Sequence, residues 1–365
     1  VPAPACTRPR AWPRTQLPEP FDPDPFNRAR LELRRADEIA SRRAFLHPMD
    51  IALTTRWNAS RHNDGAAMID EILAMGFACV ELGYDTRIDL VEGVKRRVAE
   101  GAVKVNSLHN FCPVPMGAPR GHPELYTFAS RDPRIRALAV QHTAKTIEFA
   151  AEVGARVVVT HCGYVEVSTR TDDLVQLTAA GQLYSPTYER AKLRLQTERD
   201  KRAGIHLGWV EECLLQLLPV LQQHNIILAM ENLPSWEAVP NEAETFALLQ
   251  RLRTPHLGYW HDTGHGKIRE NLGFVNVERW LERLAPYTAG MHLHDVARRI
   301  QDHTMPPHGG EVDFARLSPF LQGDKLRVIE PTTRTPREAV VEALQYLQKT
   351  LSAPGPDSQT TKETA

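Results

Sequence analysis

Eight short β-rich runs, each followed by a longer amphipathic stretch, constrain the fold of this chain more than any other feature. The runs are MDIALTTR (49–56), FACVELG (77–83), VKVNSLHN (103–110), ARVVVTHCG (155–163), NIILAMENL (225–233), LGYWHD (257–262), AGMHLHD (289–295) and LRVIEPT (326–332). Such runs carry few charges, and their alternation with helices is typical of a parallel sheet covered by helices. Eight units predict an α/β protein with a closed (β/α)8 TIM barrel.

The stretches between the runs carry helix start and stop signals. Asp132 and Pro133 are placed to begin a helix that ends at Gly154, because aspartate caps the first turn and glycine suits the residue after the last. A doubly wound open sheet is the alternative, but no G-x-G-x-x-G turn follows the first run. Segments 111–131 and 164–205 are predicted as long insertions that carry function or line a site.

The ends of the chain differ in composition from the part with regular alternation. Eight of the first 25 residues are proline, so residues 1–48 are predicted to be a Pro/Arg-rich extension, partly disordered. Residues 49–351 are predicted to form the single barrel domain. The polar segment 352–365 is predicted to be a disordered tail.

Charge and hydropathy exclude several classes of protein. The net charge of −1 gives no sign of a polyanion-binding surface, so nucleic acid is not an expected partner. No run of 18 apolar residues is present and no hydrophobic signal core opens the sequence, so neither a membrane partner nor export is expected. Five scattered cysteines favour free thiols in a reducing cytosol, and we expect a cytoplasmic protein.

Seven of the eight runs end in a carboxylate or an imidazole. These residues are Glu81, His109, His161, Glu231, Asp262, His292 with Asp295, and Glu330. The carboxyl ends of the strands of a (β/α)8 barrel meet at one mouth. Carboxylates gathered there would repel one another unless a divalent cation bound them, and carboxylate and imidazole are ligands that such cations accept. The pattern therefore predicts a metal site at the mouth, with Asp262 as one ligand.

Several of the histidines also have a structural interpretation. A single His109 or His161 after a strand is more often a hydrogen-bonded loop residue than a ligand. His294 alternates with His292 along its run, so it is predicted to point away from the mouth and to be structural. His303 lies in a polar loop and is interpreted there as a solvated residue.

Seven segments of the chain resemble the xylose-isomerase-like TIM barrels, the superfamily of sugar isomerases and epimerases that also contains the AP endonuclease family 2. The matching pieces are SLHNFCP, VVVTHCG, AMENLP, HDTGH, MHLHD, HGGEVDF and VIEP. The resemblance implies a metal-dependent sugar or keto-sugar isomerase or epimerase of carbohydrate metabolism, or a related lyase or hydratase. Its implied partner is a small sugar-like molecule, and a homo-oligomer is left open.

The resemblance to the ketose 3-epimerases of this superfamily implies roles for individual residues. The ligands of one Mn²⁺, Co²⁺, Mg²⁺ or Zn²⁺ ion are expected to be Glu231, Asp262, His292 and Glu330. Glu231 and Glu330 are also expected to be the acid/base pair of a reaction through a metal-stabilised enediolate. His265 and Arg298 are expected to contact the substrate.

Three further side chains are interpreted as substrate contacts. Glu81 ends the second strand, and Trp57 and Trp260 lie at or near strand ends, where an indole ring could stack on a sugar face. Core packing is the alternative for each tryptophan.

The endonuclease branch supplies the main alternative function. His109 and His161 match histidines that bind additional Zn²⁺ there, which would make the chain a multi-zinc phosphodiesterase acting on a small molecule or a nucleic acid. The third zinc of that branch requires D-x-H, whereas Asp302 and His303 are adjacent here, which argues against it. A non-catalytic metal-binding barrel is the second alternative.

Overall fold

The computed structural model describes residues 50–352 and confirms the closed barrel. Eight parallel strands pair in the order β1-β10-β7-β6-β5-β4-β3-β2, and β8 and β9 form a separate antiparallel hairpin. The strands are β1 (Ala52–Thr54), β2 (Cys79–Leu82), β3 (Lys104–His109), β4 (Val157–Thr160), β5 (Ile227–Glu231), β6 (Leu257–Asp262), β7 (Thr288–Leu293), β8 (Asp295–Ala297), β9 (Gln301–Thr304) and β10 (Leu326–Ile329). Each of the eight sequence runs thus supplies one barrel strand. The predicted extension (1–48) and the predicted tail from residue 353 lie outside the described residues.

Helices connect successive barrel strands on the outside of the sheet. They are α1 (Gly65–Leu73), α2 (Ile88–Ala99), α3 (Pro133–Glu152), α4 (Thr171–Ala179), α5 (Pro186–His224), α6 (Glu242–Leu252), α7 (Thr263–Asn271), α8 (Val277–Leu284), α9 (Phe314–Leu317) and α10 (Arg337–Ser352). The start and stop signals of α3 act as predicted, since the Asp132 carboxylate accepts from the Arg134 N–H at 2.8 Å and Gly154 adopts φ +76°. None of these helices is both long and apolar enough to cross a membrane.

The insertion after β4 is largely helical. The sequence pattern predicts a long insertion over residues 164–205, but α5 already starts within it, at Pro186, with Ser185 as its cap. The early part of α5 is polar and lacks regular apolar spacing, so no periodicity in the sequence predicts a helix there. It is held by scattered buried residues, with Tyr188 and Leu195 packing in one cluster with residues of α4 and α7.

The barrel interior is closed by apolar side chains below the mouth. These are Ala52, Cys79, Val157, Val159, Ala229, Trp260, Leu326 and Val328. Trp260 lies two residues before Asp262 on β6, so both side chains point inward. Gly290 on β7 leaves room for the indole, because a methyl group there would lie 2.5 Å from the ring. This layer forms the floor on which the polar site rests.

A close backbone contact between α1 and α2 gives a test of the packing. A methyl group on Gly65 would lie 1.9 Å from the Leu90 carbonyl oxygen. We expect Gly65→Ala to lower the free energy of unfolding by about 1–3 kcal/mol or more, because the clashing atom is backbone. Gly204→Ala on α5 is the matched control, since nothing lies within 4 Å of its added methyl. It should raise stability by up to about 1 kcal/mol. Urea denaturation measures both, and equal effects would contradict this helix contact.

Candidate functional site

Four carboxyl-terminal strand ends bring the predicted metal ligands together. Glu231 ends β5, Asp262 ends β6, His292 lies near the end of β7, and Glu330 follows β10. Each residue offers one ligand atom, and these atoms all lie within 4.8 Å of one another. All four side chains are buried. Strand register produces this convergence, because Asp262 lies beside His292 and His292 beside Val328, two residues before Glu330.

The His292 ring has one nitrogen facing the cluster and the other facing away from it. Its Nδ1 lies 3.0 Å from Glu231 Oε1 and 3.4 Å from Glu330 Oε2. Its Nε2 donates to Glu81 at 3.1 Å, and the Ser107 hydroxyl donates to the same carboxylate at 2.8 Å. A carboxylate on the far nitrogen is the usual support of a metal-binding imidazole. Glu81 is completely buried, so the structure places it behind His292 rather than at the open mouth.

A second ligand cluster shares Glu231 with the first. The Nε2 atoms of His109 and His161 each lie 3.2 Å from Glu231 Oε2. Ligand atoms of the three residues fall within 4.8 Å of one another. The Nδ1 of His161 donates in turn to Glu124 at 3.1 Å. Glu231 therefore presents one oxygen to His292 and the other to this histidine pair.

A third cluster corrects two expectations from the sequence. His265, His294, Asp302 and His303 also bring ligand atoms within 4.8 Å of one another. His294 faces the site, donating from Nε2 to Asp262 Oδ2 at 2.8 Å, because β7 ends at Leu293 and strand alternation no longer applies. Asp302 and His303 are neighbours in the sequence, and in an extended strand their side chains would point in opposite directions. Both join this cluster because His303 adopts φ +49°, which breaks the alternation.

Buried charges at the mouth set the protonation states. Burial opposes ionisation of Glu231, but the charge of His292 and hydrogen bonds from His109 and His161 hold its pKa well below the usual range. Burial likewise opposes charge on His292, but Glu330, Glu81 and Glu231 raise the pKa of its imidazole well above the usual value. Protons on imidazoles thus balance the carboxylates when no cation is bound.

The chemistry of these groups fits a divalent cation. Carboxylate oxygens and imidazole nitrogens are the ligands of Mn²⁺, Co²⁺ and Zn²⁺, and the carboxylates suit Mg²⁺. No thiolate enters any of the clusters in residues 50–352, since the cysteines described there are buried elsewhere. A cation on the first cluster would be held by Glu231, Asp262, His292 and Glu330.

The remaining predicted substrate contacts lie elsewhere or are covered. Arg298 is exposed in the turn between β8 and β9. Trp57 is 2% exposed and donates from its indole N–H to the Thr335 carbonyl at 2.9 Å. Trp260 has no exposed surface and lies under His292, with ring centroids 5.1 Å apart. Core packing, the alternative for both tryptophans, is what the structure shows. His265 is at the site, donating from its imidazole Nδ1 to the Asn232 carbonyl at 3.0 Å.

Sequence reasoning missed two polar residues at the mouth. Glu124, in the insertion after β3, contacts His161. Arg56, in the 3₁₀ turn after β1, lies 3.5 Å from Glu330 Oε1 through its guanidinium. The available signal was the end of the first run, LTTR, which ends in a cation rather than in a carboxylate or an imidazole.

The chain belongs to the xylose isomerase-like TIM barrel family, whose model matches residues 69–350. It is similar to the crystal structure of a D-tagatose 3-epimerase-like protein, at 18% identity and a TM-score of 0.58, covering 83% of this chain and 97% of that one. It is similar to the 3-keto-D-glucoside 4-epimerase of E. coli at 16% identity and a TM-score of 0.59, covering 82% and 99%. A putative xylose isomerase from Rhodospirillum rubrum matches at 15% identity and a TM-score of 0.61, covering 84% and 100%. No curated protein matches in sequence.

Metal affinity should depend on pH with a definite sign. Burial lowers the pKa of the predicted ligand His292, but Glu330, Glu81 and Glu231 outweigh it and raise the value well above the usual range. A protonated imidazole cannot bind a cation, so affinity should rise with pH, by about tenfold per unit for each proton displaced. Calorimetric titration of Zn²⁺ in buffers of different ionisation enthalpy measures affinity and proton release together. Binding without proton release at neutral pH would contradict this account.

Proposed function

We propose that this chain is a divalent-metal-dependent enzyme that isomerises or epimerises a sugar or keto-sugar. The observation that carries the proposal is the convergence of Glu231, Asp262, His292 and Glu330 at the barrel mouth. Sugar epimerases and isomerases among the structural neighbours support the same class of substrate. A lyase or hydratase acting on a keto-sugar would use the same apparatus.

A divalent cation held by Glu231, Asp262, His292 and Glu330 would act as a Lewis acid and lower the cost of negative charge on the oxygens of an α-hydroxy carbonyl compound. Glu231 and Glu330 lie on either side of His292 Nδ1, at 3.0 and 3.4 Å. The pKa of each carboxyl is lowered, because the His292 charge outweighs the effect of burial, so both are ionised at neutral pH. An ionised carboxylate is the form that removes a proton from carbon. One glutamate takes the proton and leaves an enediolate. In an isomerisation that residue, now a glutamic acid, returns the proton to the neighbouring carbon, whereas an epimerisation requires the other glutamate to enter the reaction protonated.

In this proposal, His265 stabilises the substrate oxygen that gains negative charge. Burial lowers the pKa of its imidazole, but Asp262 and Asp302 outweigh that effect and raise the value to about 10. The ring is therefore protonated at neutral pH in the cation-free protein, and Nε2 faces Asp302 at 3.4 Å. Because Nδ1 already donates to the Asn232 carbonyl, Nε2 is the donor that would turn from Asp302 to a developing oxyanion, where a protonated imidazole forms a strong hydrogen bond.

Glu231→Gln tests the acid/base assignment. The amide cannot accept the proton, so uptake of solvent deuterium into a substrate keto-sugar should fall by about 10²- to 10⁴-fold. A panel of keto-sugars incubated in D₂O with added Mn²⁺ and followed by NMR gives the measurement. Glu92→Gln, whose side chain is 84% exposed, is the control and should exchange like the unaltered protein. Undiminished exchange in Glu231→Gln would remove Glu231 from the reaction.

A multi-zinc phosphodiesterase is the second candidate, and one observation favours it. Glu231 belongs to both the first and the second cluster, and Asp262 accepts from His294 of the third. Two cations held by these shared ligands would stabilise the negative charge that develops in hydrolysis of a phosphodiester. The net charge of −1 favours a small phosphodiester over a nucleic acid as its substrate.

Metal content and a chromogenic diester separate the classes. The isomerase proposal expects about one tightly bound divalent metal per chain and negligible release of nitrophenolate from bis-p-nitrophenyl phosphate. Elemental analysis and absorbance give the two readouts. Two or three zinc ions with rapid metal-dependent release would overturn the isomerase proposal in favour of the hydrolase. Bound metal with neither deuterium uptake nor release would instead indicate a non-catalytic barrel.

A further inference from the structure

Arg56 brings a positive charge to the edge of the carboxylate cluster. Its Nη1 lies 3.5 Å from Glu330 Oε1, and its side chain is 23% exposed. Its guanidinium carbon lies 5.3 Å from the centre of the Tyr84 ring, in a cation–π contact. The group is therefore mostly buried at the mouth, yet it can be reached from the solvent.

The guanidinium of Arg56 makes an ion pair with Glu330 but, within residues 50–352, no hydrogen bond. A guanidinium has five N–H donors, and buried donors are almost always hydrogen-bonded. Within the part of the chain that the structure describes, Arg56 has the ion pair with Glu330 and the ring contact with Tyr84, and no hydrogen bond involves its side chain. Donors of this kind are available to an acceptor that enters the mouth.

The backbone around Arg56 holds it in place. A methyl group on Gly83 would lie 2.9 Å from the Arg56 backbone nitrogen and 3.0 Å from both Arg56 Cβ and Asp85 Oδ1. Only glycine therefore permits this approach of the β2–α2 loop to the turn after β1. Asp85 Oδ1 is itself buried without a hydrogen-bond partner. The β2–α2 loop therefore packs directly against the residue that carries the guanidinium.

From this geometry, which rests on the proposed function, we infer that Arg56 is the arginine that binds the substrate. It donates to the substrate oxygen that carries negative charge next to the cation. That charge is permanent in an α-hydroxy carboxylate and develops during reaction in an α-hydroxy ketone. Arg298, the arginine that the resemblance assigns to the substrate, is exposed in the β8–β9 turn. The positive group reaches the substrate from β1, beside Glu330, instead of from the segment after β7.

A purely structural role predicts a different pattern of effects. If Arg56 only held Glu330 in position, its loss would alter cation affinity and would weaken every ligand of the bound cation alike. A substrate-binding role distinguishes a charged oxygen from a neutral one of the same shape. Glycolate and glycolamide are such a pair, because both present a hydroxyl next to a carbonyl and only glycolate carries a charge.

The experiment measures binding of Mn²⁺, then of glycolate and glycolamide to the Mn²⁺-loaded protein, by calorimetry. Arg56→Met should weaken glycolate about tenfold or more, the loss expected for a charge-assisted hydrogen bond, and change glycolamide and Mn²⁺ binding less than about threefold. Arg56→Lys should recover part of the loss, since it keeps the charge without the planar fork. Arg134→Met, at an 88% exposed side chain, is the control.

Each outcome decides the assignment. The inference would be overturned if Arg56→Met weakened glycolate and glycolamide equally. It would also be overturned if Arg298→Met, instead of Arg56→Met, removed the preference for glycolate. Neither outcome would argue against the metal centre. If Arg56→Met does not fold, Arg56→Lys decides alone, and unchanged glycolate binding in it would count against the inference. Absence of Mn²⁺ binding in the unaltered protein would instead overturn the proposed metal-dependent function on which the inference rests.

Discussion

The repulsion among buried carboxylates at one end of the barrel is the constraint on which the rest of the site depends. Glu81, Glu231, Asp262 and Glu330 are all at most 5% exposed, and an unpaired charge at such depth costs several kcal/mol. Each of them has an imidazole or a guanidinium nitrogen within 4.0 Å. The arrangement of positive groups around the mouth follows from that requirement. A bound cation and a set of protons are two ways of meeting it.

The segment after β7 shows how a surface hairpin is held against this charged mouth. The Asp295 carboxylate accepts backbone N–H groups from Val296 at 2.7 Å, Gly310 at 2.6 Å and Val312 at 2.9 Å. A methyl on Gly309 would lie 2.4 Å from that carboxyl carbon, which explains the glycine at this position of HGGEVDF. Asp295 therefore ties the loop back to the start of the hairpin whose other strand carries Asp302. Asp295 therefore holds the backbone of this loop, although its position at a strand end groups it with the ligand candidates in the sequence.

The barrel and a polar site at its mouth could be predicted because both depend on regular repetition: the strand ends of a parallel barrel converge whatever the loops do. The choice of Glu231, Asp262, His292 and Glu330 among the residues at those ends came from the resemblance to the ketose 3-epimerases. His294 and His303 could not, since one lies beyond its strand and the other has a left-handed backbone that no local pattern announces. The depth of Trp260 does not follow from the sequence, because the inward direction of a side chain on a strand says nothing of how far below the mouth it lies. Arg56 is not indicated by the strand-end pattern, because that pattern selects carboxylates and imidazoles.

Glu231 divides its two oxygens between neighbours on opposite sides, Oε1 towards His292 and Oε2 towards His109 and His161. The single negative charge of Glu231 is shared by two oxygens that belong to different clusters. A positive group bound at one oxygen would therefore reduce the electron density available at the other. Thermodynamic linkage makes that influence mutual and equal in both directions. The number of cations that bind at the mouth would therefore depend on both clusters together, because both use the Glu231 carboxylate.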